Sequence, residues 1–164
     1  MITCDEVYFD YDNSSILENI NFTINKGEFV VIMGDNGCGK STLLKILNGI
    51  IFPSRGRYIV EGRDINSRYL KNNYNLSLFH QNIGFIFQEF NLIDNITVGE
   101  NIAIPLTLSK KLGTKEIREK TVEYAKRLGI EEVVDKYPNE CSGGQRQRAA
   151  IARALVNNPS IIVA

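Results

Sequence analysis

Nine residues, GDNGCGKST at 34–42, constrain this chain more than any other stretch. They satisfy the pattern G-x-x-x-x-G-K followed by Ser or Thr, a loop that functions only between a strand and a helix. Both flanks predict that setting. FVVIM (29–33) is a continuous β-prone apolar run, as in a strand covered on both faces, and LLKILNGI carries apolar residues at 43, 44, 46, 47 and 50, a helical spacing. In such a loop Gly34, Gly37 and Gly39 let backbone N–H groups approach a polyphosphate, Lys40 brings positive charge to the outer phosphates and Ser41 offers a hydroxyl to Mg²⁺. Asp35, Asn36, Cys38 and Thr42 complete the expected nucleotide-binding set. A Gly-rich turn could match the letters by chance, but it would not come with the strand and helix on either side.

Bulk properties exclude several classes. With 164 residues, 43% hydrophobic and 23% charged, the chain has the composition of one globular domain with a real core. Lys plus Arg equals Asp plus Glu at 19 each, so no basic excess argues for a nucleic-acid partner. No apolar run is long enough to span a bilayer, and MITCDEVYFDYDNS has acidic residues where a secretory signal needs a basic and then an apolar stretch. This predicts a cytoplasmic protein without direct membrane insertion. Cys4, Cys38 and Cys141 form no C-x-x-C pair, which predicts free thiols rather than a zinc site or a disulfide.

INFTI (20–24) alternates as a half-buried strand, NKGE makes a turn, FPSRG (52–56) closes the helix after the Gly-rich loop, and RYIVEG (57–62) is a further strand. Residues 66–82 are Asn-rich and weakly patterned, so they read as loop or irregular helix, with the sole histidine, His80, on the surface. IGFIF (83–87) returns to strand character. From Phe90 to Pro138 the pattern is helical: Thr97 and Glu100 have capping-box spacing, Glu116/Lys120 and Glu123/Arg127 are i, i+4 pairs, and Gly129 is a C-terminal stop. Ser142 and Gln145 again have capping-box spacing ahead of an Ala-rich run that ends before Pro159, and SIIVA opens another strand.

In CSGGQRQRAAIARAL two glycines behind an N-capping Ser142 leave a helix N-terminus sterically open, and such an end attracts anions. Capping alone would explain Ser142 and Gln145. Together with the Gly-rich loop upstream, however, Cys141-Ser142-Gly143-Gly144-Gln145 resembles LSGGQ, the signature of the ATP-binding cassette (ABC) family. The resemblance implies an α/β fold, a P-loop NTPase (RecA-like) core with an antiparallel β subdomain and an α-helical insertion. The core and β subdomain would occupy 1–88 and 141–164, and the helical subdomain 89–140. Tyr11, in YFDYDN, falls where the family stacks an aromatic on adenine, although nearby aromatics compete for that role. Gln88 falls where it places the glutamine that reaches Mg²⁺ and the attacking water, so Lys40 and Gln88 are the expected catalytic residues and Ser41 and Gln88 the expected metal ligands.

GEFVVIMG, IGFIFQEFNLI and TVGENIAIPL look like the ATPases of the lipoprotein-release and macrolide-efflux subgroup. NSRYLKNNYNLSLFH departs from that subgroup by lacking a charged helix-forming stretch, and Cys141 stands for the usual leucine. In this family the strand resembling SIIVA continues into an Asp that helps hold Mg²⁺ and a Glu general base, with a switch histidine later, and a later strand lies between those resembling FVVIM and SIIVA. The resemblance thus implies a fragment, inactive by itself, lacking the C-terminal part of the fold. It further implies a head-to-tail homodimer in which Ser142, Gly143, Gly144 and Gln145 meet the partner's ATP, and a transmembrane permease holding the complex at the inner face of the cell membrane. The other readings are a non-hydrolysing nucleotide-binding module and an ABC ATPase acting on nucleic acid, which would call for a strongly basic surface.

Overall fold

The computed structural model describes residues 1–12, 14–109 and 111–164, which fall into two compact units, Met1–Leu76 and Ser77–Ala164. Each has its own sheet. None of the described helices is long and apolar enough to cross a membrane.

The first unit is built on a four-stranded antiparallel sheet of order β2-β1-β3-β4, with β1 at Ile2–Tyr11, β2 at Ser14–Ile24, β3 at Arg55–Val60 and β4 at Arg63–Asp64. In β1 the buried positions change phase, from Ile2 and Cys4 to Val7 and Phe9. A bulge at Asp5–Glu6, with Glu6 at φ 49°, inserts the extra residue. Gly56 lies directly on that bulge: a Cβ there would come within 1.9 Å of the Glu6 carbonyl oxygen. It is therefore a close-packing residue of β3, not a turn that ends the preceding helix.

That helix, α1 (Lys40–Leu47), buries Thr42, Leu43, Ile46 and Leu47. It closes earlier than its sequence suggests, at Asn48–Gly49–Ile50. Gly49 takes φ 66°, its N–H donates to the Ile46 carbonyl at 2.8 Å, and the Ile50 N–H donates to Lys45 at 2.9 Å, a Schellman ending. The buried Tyr58 hydroxyl donates to the Leu47 carbonyl at 2.8 Å, tying the helix end to β3.

FVVIM does not form the expected strand. Phe29 is 91% exposed and Met33 86%, and residues 29–33 join no ladder. A strand needs a neighbour for its N–H and C=O groups, and the antiparallel sheet of this unit does not extend to this run. Residues 66–82, in contrast, are more regular than expected: α2 (Ser67–Leu70) and α3 (Asn73–Asn82) are helical, and His80 is exposed on a helix rather than in a loop. Asn66 caps α2 by accepting from Tyr69 N–H at 2.9 Å, and Asn72 likewise accepts from Tyr74 N–H at 2.9 Å.

In the second unit β5 (Ile83–Phe85) and β6 (Ile161–Val163) pair in parallel, Gly84 opposite Ile162. The connection between them carries α4 (Val98–Ser109), α5 (Thr114–Arg127) and α6 (Gly143–Leu155). Their shared core includes Val98, Ile102, Leu106, Tyr124, Ala125, Ile130, Ala149, Ala152 and Val156. Alanines on the buried side of α6 allow close approach, and Gly84 completes it: a Cβ there would lie 2.4 Å from the Ala154 carbonyl oxygen.

The caps follow the sequence. Glu100 accepts from Thr97 N–H at 2.7 Å while Thr97 Oγ1 accepts from Glu100 N–H at 3.2 Å, and Gly129 ends the α5 region at φ 61°. Glu123 and Arg127 pair at 2.6 Å as expected. Glu116 does not pair with Lys120. Its carboxylate accepts from Gly113 N–H at 2.9 Å at the start of α5, where the helix dipole favours an anion.

Candidate functional site

The Gly-rich loop lies in the first unit and folds around its own lysine. Cys38 N–H donates to the Asp35 carbonyl at 3.3 Å, with Gly37 at φ 84° and Gly39 at φ 95°. Lys40 Nζ reaches back to the carbonyls of Gly34 at 2.9 Å and Asp35 at 2.6 Å, and lies 3.8 Å from Cys38 Sγ. Gly39 is required twice over. Its backbone is left-handed, and a Cβ would come within 2.7 Å of Leu17 Cδ2 and 3.0 Å of the Ile16 carbonyl on β2. Gly34 has a different constraint, because a Cβ there would meet Cys38 Sγ at 2.7 Å.

The resulting geometry suits a polyphosphate. No side chain caps α1, so its first-turn N–H groups point out of the helix beside the Lys40 ammonium, with the exposed Ser41 hydroxyl next to them. Asp35, Asn36 and Cys38 are exposed along the loop, whereas Thr42 is buried in the helix base. Tyr11, at the end of β1 in the same unit, is 45% exposed, and its ring packs edge-on against Phe9 at 4.8 Å between centroids.

The second unit holds the remaining candidates. Ser142 caps α6, its Oγ accepting from Gln145 N–H at 3.3 Å while Gln145 Oε1 accepts from Ser142 N–H at 2.8 Å. Gln145 Nε2 also donates to Glu132 at 3.3 Å, so this side chain is occupied within the chain. Gly143 and Gly144 are exposed. A Cβ at Gly143 would meet nothing within 4 Å, and one at Gly144 only an Arg148 guanidinium nitrogen at 3.5 Å. Cys141, in place of a leucine, is buried with its thiol donating to the Tyr137 carbonyl at 3.4 Å, and burial raises its pKa.

Gln88 is exposed at the corner of a turn closed by Phe90 N–H on the Phe87 carbonyl at 3.1 Å. Beyond it opens a cleft of about 610 Å³ lined by Glu89, Phe90, Leu92, Asp94, Pro138 and Arg146, among others. Two residues that shape this region were not singled out in the sequence. Asn101, fully buried on α4, accepts from Ile93 N–H at 2.7 Å and donates to the carbonyls of Ile93 and Thr97 at 3.0 Å. Arg153 on α6 donates to the carbonyls of Phe90 and Asn91, both at 2.6 Å. The available signal was a polar residue inside each apolar helical stripe, NIAIPL and AAIARAL.

Known proteins share this arrangement across nearly the whole chain. A dimeric ATP-binding cassette, MJ0796, solved in a post-hydrolysis state with ADP and Pi, superposes with a TM-score of 0.89 at 37% identity, covering 99% of this chain and 72% of that one. The mixed α/β architecture with an antiparallel sheet is thus that of an ABC cassette with a P-loop NTPase fold. The bacitracin export ATP-binding protein BceA of Halalkalibacterium halodurans is 46% identical over 93% of this chain and 59% of its own length. The ABC transporter ATP-binding protein YxdL of Bacillus subtilis is 45% identical over 90% of this chain and 56% of its own length. This chain therefore spans less than two thirds of either relative. The family model described as ABC transporter matches residues 17–164, and on that match this chain belongs to the ABC transporter family.

Proposed function

We propose that the chain is the ATP-binding portion of an ABC transport ATPase. In the complete protein, two copies pair head to tail, each Gly-rich loop facing the other copy's Ser142–Gln145 across an ATP, and ATP hydrolysis drives a separate transmembrane permease. The observation that carries this reading is the open end of α6. Neither Gly143 nor Gly144 has a left-handed backbone, and almost nothing within the chain would obstruct a side chain at either position. Glycine in a helix costs up to about 1 kcal/mol relative to alanine. Two such residues with no internal use point to a surface that something else must approach closely, and a helix N-terminus favours an anion.

On this reading Lys40 leaves the carbonyls of Gly34 and Asp35 for the outer phosphates, and Asp35, Asn36, Gly37, Cys38 and Gly39 line the phosphate chain. Tyr11 offers its exposed ring to adenine. Ser41 and Gln88 are the residues proposed to hold Mg²⁺, which when bound neutralises charge on the phosphate oxygens. A hydroxyl ligand completed by phosphate oxygens suits a region where, among the described residues, no cluster of three His, Cys, Asp or Glu side chains occurs. The division into a core with β subdomain (1–88 and 141–164) and a helical subdomain (89–140) belongs to the same proposal. So do attachment to the cytoplasmic membrane face through a permease seated at the cleft beyond Gln88, and kinship with lipoprotein-release and macrolide-efflux ATPases through GEFVVIMG and TVGENIAIPL.

The experiment is ATP-driven dimerisation of the complete gene product, followed by size-exclusion chromatography with hydrolysis suppressed. Ser142→Arg should fill the open helix end and abolish the dimer while monomer ATP binding persists. Dimerisation of that variant at the parental ATP concentration would rule out the sandwich and leave Ser142 a capping role alone.

A further inference from the structure

Phe90 and Asn91 are consecutive non-glycine residues in left-handed conformation, φ 62° and 45°. Such backbone persists only where its surroundings hold it, and it concentrates at working sites. Here the holding group is a single side chain. Arg153 Nη1 donates to the Asn91 carbonyl and Nη2 to the Phe90 carbonyl, each at 2.6 Å, a two-pronged grip from two nitrogens fixed in one plane, a geometry that a guanidinium supplies and the single nitrogen of an ammonium does not. A half-buried cation is an expensive way to fill this position on a helix otherwise packed with alanines, and burial indeed lowers the pKa of Arg153. Directly before the gripped residues, the turn from Phe87 to Phe90 carries Gln88 and Glu89 at its two central positions. On the far side Asn101 fastens Ile93 and Thr97 to α4. The loop is therefore shaped by side chains from two helices rather than by a ladder of its own.

We propose that Arg153 is a positioning residue for Gln88: by gripping the strained Phe90–Asn91 backbone it fixes the Gln88 turn and the wall of the adjoining cleft to α6, the helix whose other end carries Ser142. The assignment of Gln88 to ATP chemistry rests on the function proposed above, whereas the grip itself does not. It follows that this wall and the Ser142 end of α6 move as one piece, and that loosening Arg153 misplaces Gln88 without touching the Gly-rich loop.

The test is amide hydrogen exchange by mass spectrometry on the complete gene product without nucleotide, joined to steady-state kinetics. Arg153→Gln should speed exchange of residues 89–94 at least tenfold and leave α5 within twofold. Arg153→Lys should fall between, and adding Asn91→Gly, which relieves the left-handed strain, should recover part of the lost protection. The control is Asn157→Ala, which removes a neighbouring bond from the same end of α6, Asn157 Nδ2 to the Pro105 carbonyl at 3.2 Å, without touching the loop. In turnover Arg153→Gln should lower kcat at least tenfold with KM for ATP within twofold. Unchanged exchange at 89–94, equal acceleration in Asn157→Ala, or an unaltered kcat would each overturn the proposal. Normal turnover in Lys40→Ala would instead overturn the ATPase reading, and the exchange data would still judge the grip.

Discussion

The ammonium of Lys40 donates to the backbone carbonyl of Asp35 at 2.6 Å, so the loop's one lysine is held by the loop itself. The same nitrogen bonds Gly34 at 2.9 Å, and these two carbonyls are the partners a phosphate would have to replace. The ammonium already makes these bonds charge-assisted, and exchange of the neutral carbonyls for an anionic phosphate adds the attraction of an ion pair.

Lys40→Ala should therefore weaken ATP binding by about one to two decades, the equivalent of losing a charged hydrogen bond of about 1.5–3 kcal/mol. The urea midpoint should move little, because the loop carbonyls that lose the lysine are exposed to water. Titration with a fluorescent ATP analogue measures the first effect and circular dichroism the second. Unaltered ATP affinity would remove Lys40 from the site.

The three thiols should separate by reactivity. Cys38 is exposed, whereas Cys4 and Cys141 are buried, and burial pushes the Cys4 thiol up to about 12. At pH 8 a maleimide should label Cys38 first, ATP should slow that labelling, and Cys4 should react only on unfolding. The raised Cys4 value also sets an alkaline limit. Its contribution is intact below the unfolded-state pKa of about 9 and is lost as pH rises from there towards 12, because only the unfolded thiol ionises in that window. Peptide mapping after timed alkylation checks the order of labelling, and urea titrations between pH 8 and 10 check the trend.

Gly143→Ala should separate folding from assembly. Open space around the Cβ position predicts a gain of about 0.5–1 kcal/mol in stability from better helix propensity and a less flexible unfolded chain. If the helix end receives a partner's nucleotide, the same methyl should weaken the ATP-dependent dimer. A variant that is both more stable and equally competent to dimerise would show that the glycine has no role in contact.

Gly84→Ala should do the opposite in the second unit. With the Ala154 carbonyl 2.4 Å and Pro159 Cγ 2.9 Å from the added carbon, backbone must move, and overpacking of this kind costs about 1–3 kcal/mol. Urea unfolding should show the loss. Exchange at the β5–β6 pair should rise before exchange in α5.

Much of the site was legible because glycine and capping patterns are local. The start of α1 at Lys40, the reciprocal Ser142–Gln145 bonds and the Thr97–Glu100 box all follow from residues within four positions of one another. What escaped depends on partners distant in the chain or on a choice between two local partners. FVVIM has every local property of a buried strand, yet pattern cannot supply the neighbouring strand. Glu116 could pair with Lys120 or cap α5, and spacing does not choose between them. The Asn-rich stretch hid two N-caps, at Asn66 and Asn72, because asparagine serves turns and helix starts equally well. Arg153 and Asn101 act over separations of 62 and 8 positions on backbone atoms, which side-chain periodicity does not report.

The unpaired run at Phe29–Met33 also bears on how the protein is made. An exposed apolar run outside any strand ladder is a template for pairing with other chains, and β-prone windows of this kind seed aggregation. Among the described residues no strand pairs with it. Low temperature or slow induction should therefore raise the yield of soluble chain more than substitutions that stabilise either core.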